Sequence, residues 1–244
     1  MALNPMHQFE IYKIGPEINL GNINLSFTNA SLFMTISAIL ILSLLFFGTK
    51  KKSLIPSKIQ LITEMSYTFI AKMINDTAGS SAKAFFPFVF TLFMFVLFCN
   101  MVGMLPYSFT VTSHIIVTFM LAAIIFIGVT VIGFIKHGIK YLELFVPKGV
   151  PIVLLPLIII IEIISYLSRP VSLSVRLFAN MMAGHTMIKV FAGFVVLLGL
   201  AGVGPLVFIV AVYALEVIIA FLQAYVFAVL TCLYLADALH LHHQ

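Results

Sequence analysis

Ser172-Leu173-Ser174-Val175-Arg176-Leu177-Phe178-Ala179-Asn180-Met181-Met182-Ala183-Gly184-His185 lies inside the most apolar third of a very apolar chain, yet it carries an arginine, an asparagine and a histidine. A guanidinium keeps its proton at any physiological pH, so placing Arg176 at membrane depth costs about 2.5 to 3.5 kcal/mol on insertion scales. A charge retained at that cost marks a functional site by default.

The run around it, 150–238, has Gly199 to Pro205 as its one strong break, which divides it into apolar segments of about 45 and 32 residues. A 45-residue helix is about 68 Å long, more than twice a hydrocarbon core. Either it breaks near Pro170 or it lies steeply tilted, carrying polar groups along a wide lateral path. The expected fold class is all-α. It is a polytopic membrane protein of about five crossings with one amphipathic interfacial helix, ending in a long, strongly tilted hairpin.

The bulk numbers agree. Of 244 residues 62% are hydrophobic and 9% charged, and the mean hydropathy of +1.19 excludes a water-soluble core. The net charge of +5 sits at the ends of apolar runs, where basic residues set topology, so no nucleic-acid partner is expected. Cys99 and Cys232 both fall in apolar runs and read as packing residues. No phosphate loop, zinc-ligand spacing or nucleophile triad occurs, and no cofactor or metal is expected.

Toward the N-terminus, 1–26 reads as an amphipathic outer-side segment broken by Pro5, Gly15, Pro16 and Gly21, with no removable signal peptide. The first crossing is 27–47, followed by Lys50, Lys51 and Lys52. The stretch 54–78 mixes apolar residues with Lys58, Gln60, Glu64, Lys72 and Asp76 in helical rhythm, which suits the membrane surface. A helix pair fills 84–135, and Lys136, Lys140 and Lys148 follow it. Counting lysines and arginines puts the N-terminus outside and the C-terminus inside, whether the membrane is bacterial or mitochondrial. Asn100 and His114, near span ends where water is available, read as hydrogen-bonded residues with a possible channel-lining role.

On an ideal helix Glu162, Ser165, Ser172 and Asn180 fall within about 40° of Arg176. A hydrogen-bonded seam between helices accounts for the serines and Asn180, but not for two ionisable groups. His185 points about 180° away, with Lys189 one turn beyond. On the last helix Glu216, Gln223, Tyr234 and Asp237 share a face beside a ridge of Ala220, Ala224 and Ala228, which lets a neighbouring backbone approach closely. A hairpin could therefore bring Glu216 to His185, either as a proton relay or as a structural ion pair.

The Arg176 stretch, together with Leu222-Gln223-Ala224-Tyr225-Val226-Phe227, Asn4-Pro5 with Gln8-Phe9-Glu10-Ile11, and Pro106 to His114, resembles the subunit a family of the F-type ATP synthase. The likeness covers essentially the whole chain, and its N-terminal and middle pieces resemble the alphaproteobacterial and mitochondrial branch. The resemblance implies a stationary, non-catalytic subunit, packed against a rotating ring of subunit c hairpins that each carry a membrane-embedded carboxylate. It implies contact with the peripheral stalk subunit b, with other synthase subunits and with membrane lipids, ATP chemistry being elsewhere. Protons are the ion implied. Arg176 would face the ring carboxylate, Glu216, His185, Asn180 and Gln223 would line an outer half-channel, and Glu162 would belong to an inner one. In the well-known bacterial pattern the last helix carries the histidine and the arginine helix the acid; here Glu216 and His185 are exchanged.

Two other readings remain at this level. One is a secondary transporter or a proton-translocating respiratory subunit, and a transporter lacks support from an internal repeat or paired interrupted spans; the other, a purely structural scaffold, leaves Arg176 and Glu216 as unexplained costs.

Overall fold

The structure, a computed structural model, describes residues 8–14, 19–20, 23–24, 26–50, 55–105, 108–146 and 154–239. Six α-helices dominate it: α1 (Asn29–Lys50), α2 (Lys58–Ala78), α3 (Phe86–Gly103), α4 (Ile115–His137), α5 (Leu155–Leu198) and α6 (Val203–Leu239). All but α2 are long and apolar enough to cross a membrane, α3 and α4 being extended by flanking 3-10 turns. The all-α polytopic expectation holds.

Local chemistry sets the ends. Ser57 caps α2 by accepting from the Gln60 backbone N–H at 3.3 Å, and Gly79, at φ 73°, ends it. Gly138 (φ 57°) and Gly199 (φ 54°) close α4 and α5 in the left-handed region that glycine enters without a Cβ penalty. At the far end of α6, the Lys136 ammonium donates to the Leu239 carbonyl at 3.0 Å, filling an acceptor that the helix itself leaves open.

Three features refine the sequence reading. In the N-terminal segment strands β1 (Asn19–Leu20) and β2 (Ile23–Asn24) pair antiparallel, and an isolated antiparallel bridge joins Lys13 to Thr28. The Asn29 side chain accepts from the Tyr12 N–H and donates to the Glu10 carbonyl, which ties this strap to the head of α1. The break after α5 is shorter than Gly199 to Pro205, being a single 3-10 turn over Gly199–Gly202 with Pro205 already inside α6. Proline is tolerated there because first-turn N–H groups have no helical acceptor. Pro170 does not break α5, which runs unbroken through 44 residues. At about 66 Å that helix cannot stand upright in a core of roughly 30 Å, so the oblique alternative follows. Residues 1–7, Lys51, Lys52, Pro106, Lys148 and the His240 to Gln244 tail lie outside the described residues.

The core gathers one face of each helix. Ile70 and Ile74 of α2, Phe93 and Val96 of α3, Ile125 of α4, Leu177 and Met181 of α5 and Phe227 and Leu235 of α6 are each at most 2% exposed. On α5 the buried positions Pro170, Leu173, Ser174, Leu177 and Met181 recur every three to four residues, one face of a helix. The alanine ridge works as expected: Ala220, Ala224 and Ala228 are fully buried, and the Asn100 amide of α3 reaches the Ala220 carbonyl at 3.1 Å.

The α5–α6 hairpin fixes the site by its register. Phe191 packs against Phe208 near the turn with tilted rings and centroids 4.2 Å apart, His185 meets Glu216 farther along, and Arg169 meets Asp237 near the open end. From Phe191 back to Arg169 α5 covers 22 residues while α6 advances 29, from Phe208 to Asp237, so the two helices run antiparallel with a drifting register.

Candidate proton-transfer site

Glu216 is the most buried acidic or basic side chain among the described residues of the hairpin. Its residue is 2% exposed, and its Oε1 lies 3.4 Å from His185 Nε2. Neither carboxylate oxygen receives a hydrogen bond from the described residues. Room for the carboxyl exists because position 184 is glycine: a Cβ there would stand 2.7 Å from Glu216 Oε1. The third member is Thr110, in the segment leading into the 3-10 turn Val111–Ser113, whose Oγ1 lies 3.0 Å from His185 Nε2 and 3.1 Å from the Gly103 carbonyl. The wheel argument for a Glu216–His185 meeting is thus realised. Thr110 was not among the expected site residues; its only sequence signal is a place in a polar loop beside His114.

Around this pair lie further buried polar atoms. Asn100 is fully buried and hydrogen-bonded: its amide nitrogen donates to α6, while Oδ1 has no partner among the described residues. His114 stacks on Phe109 at 4.9 Å, and its Nε2, like Thr112 Oγ1, is buried without a hydrogen-bond partner among the described residues. Gln223, two turns beyond Glu216, is 9% exposed. Between the His185–Glu216 and Arg169–Asp237 contacts the hairpin brings it about level with Asn180, which is half-buried.

Arg176 stands apart. It lies on the exposed side of α5 with Ser165 and Ser172, off the buried stripe, and has no hydrogen-bond or ion-pair partner among the described residues. Glu162 lies on the same side and is half-buried. The register explains the missing partner: opposite Arg176 the last helix presents the region of Ala224 and Ala228, with no carboxylate.

A second polar cluster occupies the open end of the hairpin. Arg169 donates to Asp237 Oδ2 at 2.9 Å, with its guanidinium 5.5 Å from the Tyr166 ring and 5.1 Å from that of Tyr234. Tyr234 and Asp237, expected on a face with Glu216 and Gln223, thus belong with Arg169. Thr130 donates to the Phe126 carbonyl at 2.6 Å, so it accepts from the Tyr166 hydroxyl at 2.7 Å, and Tyr166 in turn accepts from Tyr141 at 3.1 Å. Along α5 the distance from Arg169 to His185 is about 24 Å, with Arg176 between them.

Fold and site together define a multi-pass helical membrane protein with a buried acid–imidazole pair and an outward-facing arginine that has no partner among the described residues. A family model described as ATP synthase A chain matches residues 31–236. The chain is 71% identical over 244 residues to ATP synthase subunit a of Pelagibacter ubique, covering all of both chains. It is 59% identical to ATP synthase subunit a of Rhizobium rhizogenes, covering 98% of each, and 57% identical to that of a Chelativorans species, covering all of both. The chain belongs to the ATP synthase subunit a family.

Proposed function

We propose that the chain is the proton-conducting stator subunit of its synthase, working against a rotating ring of small subunit c hairpins. The observation that carries this reading is Arg176, exposed on α5 without a partner among the described residues, between two polar clusters about 24 Å apart along the helix. A permanent cation on an outward face needs a counter-charge from outside the chain, and a ring carboxylate at membrane depth is that charge. As each carboxylate arrives, the guanidinium favours its ionised form and releases its proton toward the inner side. The same fixed charge blocks direct leakage between the two paths; a lysine, able to deprotonate, would block it less well.

The outer half-channel runs by way of Glu216 and His185, with Asn180, Gln223, Asn100 and His114 along it. The inner one includes Glu162 and opens near Tyr234 and Asp237. In this arrangement the N-terminus is outside, the C-terminus is on the cytoplasmic or matrix side, and the remaining apolar surface meets lipid and the peripheral stalk subunit b. Each proton crossing 100 mV yields about 2.3 kcal/mol, so rotation must sum several per ATP.

Cysteine cross-linking tests the ring-facing stripe. Cysteines replacing Ser172 or Asn180 should form disulfides with a cysteine beside the ring carboxylate, whereas one replacing Val171, about 140° round α5, should not. The native Cys99 and Cys232 are buried and give little background. Equal cross-linking from all three positions, or none from the stripe, contradicts the reading.

A further inference from the structure

We propose that Thr110 is a positioning residue of the relay: its hydroxyl, shared between the Gly103 carbonyl and His185 Nε2, decides which imidazole nitrogen holds the proton that Glu216 receives. The inference rests on the reading of Glu216 and His185 as a proton path and adds a residue on a different segment of the chain.

The geometry is a matter of counting donors. A threonine hydroxyl has one proton to give and two lone pairs with which to accept. Thr110 Oγ1 is 3.1 Å from the Gly103 carbonyl, which can only accept, and 3.0 Å from His185 Nε2. While the hydroxyl donates to Gly103, it can only accept from His185, so Nε2 carries a proton and Nδ1 is left to take up the next one. Nε2 is also the nitrogen facing Glu216, 3.4 Å from Oε1. When the doubly protonated ring hands a proton to the carboxylate, the Nε2–H bond breaks and an Oε1–H bond forms. Imidazolium and carboxylate become neutral imidazole and neutral carboxylic acid. Nε2 then has a lone pair and needs a donor. Rotation about the Thr110 Cβ–Oγ1 bond moves the hydroxyl proton from Gly103 to Nε2, and the reverse transfer undoes both changes.

The surroundings hold Thr110 for this task. It is 5% exposed, and Gly103 leaves it space, since a Cβ there would come 2.8 Å from Thr110 Cγ2 and 3.1 Å from its Cα. Ser113 donates to the Thr110 carbonyl at 2.6 Å and fixes the backbone.

The test uses inside-out vesicles with the complete synthase, scoring ATP-driven acidification per copy of the chain found in assembled complex. Thr110→Ser keeps the hydroxyl and loses a methyl; Thr110→Val keeps the shape and loses the hydroxyl; Thr110→Ala guards against a valine that fails to assemble. The expected result is near wild-type pumping for serine and a loss of about tenfold for valine and alanine, as for one buried hydrogen bond removed at a working site. His185→Ala is measured beside them. If valine pumps like wild type while His185→Ala does not, the role given to Thr110 is overturned and the relay stands. If serine falls as far as valine, the methyl is what matters and the role is again overturned. If His185→Ala pumps normally, the relay itself is wrong.

Discussion

At the residue scale the site depends on what is missing as much as on what is present. Glycine at 184 makes the hollow into which the Glu216 carboxyl fits, and even one methyl group would overlap it at 2.7 Å from Oε1. Gly184→Ala should therefore push the carboxyl off His185 and lower ATP-driven pumping at least fivefold while the complex assembles, a strain of about 1 to 3 kcal/mol from overpacking. Vesicle acidification with quantified assembly checks it, and unchanged pumping would show that Glu216 does not work from this position. The sequence makes Glu216 and His185 visible because each is an ionisable group in an apolar run, and helical periodicity sets the faces they occupy. Thr110 is not visible in the same way. A threonine in a loop is ordinary, and its partner is 75 residues away in the chain.

Among the elements, the hairpin register does what helix periodicity alone cannot. Arg169 and Arg176 are two turns apart and differ by about 20° on an ideal helix, so a wheel treats them as alike. The antiparallel pairing separates them: one finds Asp237 on α6, whereas the other lies at about the level of Ala228 and has no acidic partner among the described residues. The Arg169–Asp237 pair is partly open to solvent, with side chains 28% and 43% exposed, and is worth little as a bare ion pair. Its two tyrosine contacts and its place at the open end make it a clamp on the tail of α6. Arg169→Ala is expected to keep much of the pumping but to lower the thermal stability of the purified complex. Reversing the pair, Arg169→Asp with Asp237→Arg, should recover part of that stability compared with either single change. A double variant no better than the worse single one would remove the clamp. The N-terminal strap also escapes the sequence, because two-residue strands have no periodicity and their pairing depends on Asn29 at the head of α1.

For the whole molecule, apolar periodicity and lysine placement were enough to foresee five crossings and a final hairpin too long to stand upright, since bilayer thickness constrains length directly. They could not decide whether Pro170 breaks α5, because a proline removes one hydrogen bond and packing decides whether the helix continues; here Pro170 is buried and it does. The resulting body has a buried acid–imidazole pair on one side, an ion-pair clamp on the other, and one exposed arginine between them. The central claim is that this arginine is the charge that separates the two proton paths. The most direct test is ATP-driven acidification of inside-out vesicles carrying Arg176→Ala, beside wild type and Arg169→Ala. Pumping is expected to vanish in Arg176→Ala with the complex fully assembled, and to persist in large part in Arg169→Ala. Wild-type pumping by an assembled Arg176→Ala complex would contradict the account.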